Sequence, residues 1–164
     1  MKRKSSSRFG NDMEKWFQSI ALIRRVEDGK NLWLARASDR RPGMVDFIAA
    51  PRLGTESFRE TIRREVGWVL DLDPKRELLV SSMAQLNLEF VASLPNSTSD
   101  SHIAASFFLV EIYGRRAMQK IEEDPANRWL TSAEVCSGSL ETGESLEPRL
   151  LFLLDRAKVI NAWD

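Results

Sequence analysis

APRLGTESFRETIRREVGWVLDL, residues 50–72, is a turn running into an amphipathic helix. Ser57 stands where a helix N-cap is wanted, and Glu60 follows three residues later, the spacing of a capping box. Phe58, Ile62, Val66 and Val69 recur at helical spacing and mark one apolar face, with Val69 expected in the core. Arg59, Glu60, Arg63 and Arg64 lie off the centre of that face. Asp71 and Asp73 with Pro74 end the element, since proline cannot continue a helix.

The same residues resemble the Nudix box, the signature of the Nudix hydrolase superfamily. That pattern runs glycine, five residues, glutamate, seven residues, arginine-glutamate, an apolar residue, one residue, two glutamates, one residue, glycine, apolar. Laid on this chain from Ala50, it finds Glu56, Arg64, Glu65 and Val66 in place. Trp68 and Val69 stand where the two glutamates belong, and Asp71 stands where the glycine belongs. Ala49 and Ala50 replace the glycine pair expected just upstream.

The resemblance implies a helix that holds divalent metal ions against a diphosphate. Residues three and four apart share a helix face, so carboxylates at 65, 68 and 69 would form the oxygen-rich patch that Mg2+ requires. Here Glu65 alone of the three is acidic. Alanine at 49 and 50 also withdraws the close backbone approach to phosphate that glycine permits. The expectation is a Nudix-type fold with a degenerate active site, its standard metal site dismantled.

The rest of the chain fits one such domain. At 164 residues it can bury a substantial core. Lys and Arg total 24 against 24 Asp and Glu, which gives no overall electrostatic case for nucleic acid or a membrane surface. The single cysteine, Cys136, excludes an internal disulfide framework and fits a cytoplasmic protein. With one histidine, His102, it cannot complete a conventional structural zinc site. No apolar run approaches a membrane span. Residues 1–14 are basic and serine-rich and read as a flexible tail, leaving 15–164 as the domain.

Residues 16–26 and 31–37 read as strands joined by an Asp28-Gly29 turn. A short strand over 44–49 leads into the box. Strands follow around 78–83 and 86–92, then a polar loop at 95–101. The apolar run at 103–113 reads as a central strand, ended by Gly114. A short helix or ordered loop at 115–123 comes next. Arg128-Trp129-Leu130-Thr131 and a short helix at 132–135 also resemble the family. A closing helix at 146–163 has Pro148 in its first turn and Leu150, Leu151, Leu154 and Ala157 as its apolar face. This order fits an α/β fold, the Nudix-type α/β/α sandwich with a mixed β-sheet.

The candidate site residues are few. Glu65 and Arg64 are the residual catalytic pair that the resemblance implies, and Glu65 with Glu56 would be the metal ligands if the protein is active. Glu65 can equally be a solvated or arginine-paired glutamate. Glu56 can tie the turn to the helix. Trp68 is expected to pack, or else to offer a flat stacking surface. Ser101, His102 and Asp100 are adjacent in sequence, which does not make a triad. Cys136 reads as a buried or half-buried small residue. Glu122, Glu123 and Asp124 form an acidic loop cluster, solvated by default.

The leading expectation is a non-catalytic module that binds a nucleotide-derived ligand or a protein partner, with no cofactor. The alternative is a divergent hydrolase of nucleoside diphosphate derivatives, using Mg2+ or Mn2+ on Glu65 and carboxylates recruited from 122–124 or Glu89. A third is an interaction role through aromatic surface at Trp16, Trp33 or Trp163.

Overall fold

The structure, a computed structural model, describes residues 13–164. The tail expected over residues 1–14 lies, up to residue 12, outside the described residues. Strand β1 (Glu14–Glu27) is the spine. Most of it runs parallel to β7 (Ser101–Ile112), from Glu14 opposite Ser101 to Ile23 opposite Val110. Its last residues pass through Asp28 and Gly29, at φ 52° and 77°, into antiparallel β2 (Lys30–Ala37). Two successive positive-φ residues make the hairpin turn that an Asp-Gly pair favours.

The other strands are short and flank these three. β3 (Met44–Asp46) and β8 (Asn127–Thr131) pair with β2, and β4 (Ala49–Ala50) pairs with β1. β5 (Leu78–Val80) and β6 (Leu86–Ala92) pair with the far edge of β7, and β9 (Ser145–Leu146) pairs with β3. Together they form a mixed nine-stranded sheet among the described residues.

Successive strand residues point to opposite faces, and both faces of β1 are covered. Ile20 and Leu22 enter a core with Phe107, Leu150 and Leu153, under helix α4 (Pro148–Ala157). Ala21 and Ile23 enter a second core with Ile62, Val66 and Ile121, under α1 (Phe58–Leu70) and α2 (Arg115–Glu123). Burial on both sides is why these strands read as continuous apolar runs rather than alternation. The layers are helix, sheet, helix. A short α3 (Ser132–Ser137) carries a full capping box between Thr131 and Glu134. No helix among the described residues is long and apolar enough to cross a membrane.

Several expected boundaries shift. The 44–49 segment splits into β3 and β4, with Phe47 and Ile48 between them. The strand expected at 78–83 ends at Val80, where Arg59 takes over the free carbonyls: it donates to Val80 O at 2.9 Å and Ser81 O at 3.0 Å. The closing helix is shorter than 146–163. It starts at Pro148 because the preceding Ser145 and Leu146 are held in β9, and Lys158 at φ 56° ends it. Its buried face is Leu150, Leu153, Leu154 and Ala157, with Leu151 only half-buried.

Candidate functional site

Helix α1 begins as expected. Ser57 is its N-cap and accepts the Glu60 amide at 3.1 Å. The reciprocal half of the capping box is absent, because the Glu60 carboxylate faces Arg63 and Arg59 instead. Glu56, just outside the helix, is held on all sides. Its carboxylate accepts from Leu53 N at 3.0 Å, from Thr61 Oγ1 at 2.9 Å, and from both Nη2 and Nε of Arg64 at 2.9 and 3.3 Å. The Arg64 guanidinium, then the Leu53 amide, lower its pKa to about 2. Glu56 therefore stays charged, with three of these donors on Oε1 and only the Arg64 Nε on Oε2. Glu65 comes no nearer than 3.9 Å to Arg64.

The next turn departs from a metal-binding helix. Trp68 was expected to pack, yet it is 82% exposed. Position 68 points away from the sheet while Ile62 and Val66 point into it, so the indole has nothing to pack under. Val69, expected in the core, is half-buried at its margin and lines a cleft. Asp71 sits at φ 55° and its amide closes on Trp68 O. It occupies the left-handed C-cap position usually given to glycine. Lys120 of α2 bonds its carbonyl at 2.7 Å. Ala49 and Ala50 are β4 itself, Ser19 pairing with Ala50 and Ile20 with Ala49. A Mg2+ ion does not fit this helix: an indole and an isopropyl group stand in place of two oxygen donors, and the Glu56 carboxylate is already paired with Arg64.

The other expected carboxylates are dispersed. Glu122 and Glu123 belong to α2 rather than a loop, and Asp124 is its C-cap. Glu122 pairs with Arg25 at 3.1 Å, and Asp124 with Arg36 at 3.0 Å. The Ala126 amide, then Arg36, lower the Asp124 pKa. Glu89 faces His102 at 3.0 Å on the β6–β7 surface. Asp100 accepts from Ser93 at 2.9 Å and Ser101 is buried, so these neighbours of His102 form no triad. Cys136 is exposed rather than buried, and partial desolvation raises its pKa. Trp33 is buried, its indole donating to Ser132 at 2.9 Å; Trp163 is 81% exposed.

What the fold does bring together is a cleft along β3 and β4. An inner cavity of about 270 Å³ lies between β1 and α4, with Trp16, Gln18, Asp46, Phe47, Glu147 and Arg149 on its walls. An outer cavity of about 320 Å³ lies towards α1 and carries Arg36, Ser38, Arg40, Asp46 and Val69. Asp46, Phe47 and Ala49 belong to both. Burial, reinforced by the charge of Glu147 and opposed by the Phe47 amide, pushes the Asp46 pKa up to about 7. The sequence reading gave no role to Asp46, Arg36, Arg40 or Glu147. The available signal was a lone carboxylate inside the apolar run MVDFIA.

No protein-family model matches the chain, and no curated protein sequence matches it. Solved structures do. An Ap4A hydrolase from C. elegans aligns at TM-score 0.54 and 10% identity, over 75% of this chain and 85% of the other. A mutT/nudix family protein from Listeria innocua aligns at 0.58 and 12%, over 88% and 92%. The NUDIX domain of Shewanella oneidensis NrtR, solved with ADP ribose, aligns at 0.52 and 10%, over 94% and 97%. What is shared at such identities is the backbone architecture, and on it this chain has the Nudix fold.

Proposed function

We infer that the protein binds a nucleotide-derived small molecule in the cleft along β3 and β4, as a non-catalytic module. The observation that carries this is the cleft wall: Val69, not a carboxylate, is the α1 side chain that lines it. Hydrolysis of a diphosphate needs a metal or its equivalent to neutralise charge and activate water. Binding needs only the charge. Arg40 at the outer cavity provides it, and a guanidinium fork suits phosphate oxygens. Trp16, Ile20 and Phe47 in the inner cavity offer apolar surface for the flat face of a base. The NrtR domain solved with ADP ribose has the same fold, which supports a ligand of this class.

Calorimetric titration with ADP-ribose tests this. Binding is expected in EDTA, with an affinity that added Mg2+ changes by less than about threefold. Arg40→Ala is expected to weaken it roughly tenfold, the loss of one charge-assisted contact. Binding that appears only with Mg2+ would refute a metal-free site.

A further inference from the structure

Among the described residues, Asp46 is the one ionisable side chain common to both cavities. Its Oδ1 accepts the Phe47 amide at 2.9 Å, and among the described residues its Oδ2 has no hydrogen-bond partner. Among the described residues it forms no ion pair. Arg36 lies opposite in register on β2, but its guanidinium holds Asp124 at 3.0 Å and Asn127 at 2.6 Å. Glu147, next to β9, adds negative charge and is itself held by Arg41 at 2.9 Å. Arg149 lines the inner cavity, and Asp39 and Arg40 line the outer one. From β1 come Trp16, Gln18 and Ile20, none of which titrates. A half-buried carboxyl in such surroundings is neutral over much of the range below pH 7.

We propose that Asp46 reads the ligand as a neutral carboxyl, donating its proton to a ring nitrogen and accepting from the adjacent amino group, the edge that adenine presents. A neutral carboxyl has one donor and one acceptor side by side, which complements that edge. An ionised carboxylate is acceptor-only and suits two neighbouring N–H donors, the edge of guanine. A base entering the cleft expels water, which favours the neutral form further. This proposal rests on the nucleotide-binding reading given above and deepens it.

The test is ADP-ribose affinity by calorimetry at pH 6, 7 and 8, since its diphosphate stays ionised throughout. Guanosine and adenosine serve as comparison ligands. For a group titrating near 7, the neutral fraction falls about tenfold between pH 6 and 8, and the parent's affinity is expected to fall with it. Asp46→Asn supplies a permanent donor and acceptor, the pairing asparagine makes with adenine. It is expected to bind as the parent does at pH 6 and to show no pH dependence. Asp46→Leu is expected to bind at least tenfold more weakly at every pH. The proposal fails if the parent's affinity is flat across pH, if Asp46→Asn is as weak as Asp46→Leu, or if guanosine is preferred with affinity rising towards pH 8. Constant ADP-ribose affinity across pH and variants would overturn only the role of Asp46. No binding of any of these ligands would overturn the nucleotide reading together with it.

Discussion

Replacing Asp46 with asparagine is expected to stabilise the ligand-free protein at pH 8 by about 2–4 kcal/mol and to leave it nearly unchanged near pH 4. The sign follows from linkage. The folded-state pKa of about 7 lies above the ordinary carboxylate value of 3.8, so the native state holds a proton that the unfolded chain releases. Stability associated with this group is fully present below the lower value and is lost as pH rises through 7. The full shift corresponds to about 4 kcal/mol at 1.4 kcal/mol per unit, and solvent contact at the half-buried side chain lowers that. Asparagine keeps an oxygen for the Phe47 amide and has no proton to lose. Urea unfolding of both proteins between pH 4 and 8 checks it. A constant difference across pH would mean that Asp46 is ionised throughout.

Phe107→Ala is expected to cost about 3–5 kcal/mol, the range for removing a fully buried aromatic side chain. Phe107 is 0% exposed on β7, opposite Ile20 of β1 on one side and Leu86 of β6 on the other. The cavity is bounded by strands paired on both edges, so it cannot readily collapse. Urea midpoints measure the loss. A cost below about 1 kcal/mol would mean that this core relaxes around the gap.

The helix and the central strands were legible because their signals are local. Ser57 and the spacing of Ile62 and Val66 specify α1 without reference to the rest of the chain. The apolar runs of β1 and β7 already state that both faces are covered. The Asp28-Gly29 pair states the hairpin. The side on which a residue ends up was harder to read. Trp68 is large and apolar, and only the orientation of α1 on the sheet exposes it. The length of α4 depended on β9, a two-residue strand that pairs with β3 far away in sequence.

The site divided in the same way. Substitutions at 68 and 69 are visible in one dimension, because ligand spacing on a helix is a local rule. Asp71 was counted as a loss on the same basis, yet it adopts the left-handed conformation of a helix-ending glycine. The cleft was not visible. It is assembled from β1, β2, β3, α1 and the start of α4, and no single segment carries its pattern. Asp46 gains its character from burial and from Glu147, a hundred residues on in round terms.

Diphosphate hydrolysis is the most direct measurement of whether this helix has ceased to be a catalytic one. The purified protein would be incubated with Mg2+ or Mn2+ and with nucleoside triphosphates, dinucleoside polyphosphates, nucleotide sugars and ADP-ribose, beside Glu65→Gln. The expected result is that none of these ligands is cleaved by either protein, while ADP-ribose binds to both. Metal-dependent turnover in the parent that disappears in Glu65→Gln would show a rebuilt active site and contradict the non-catalytic assignment.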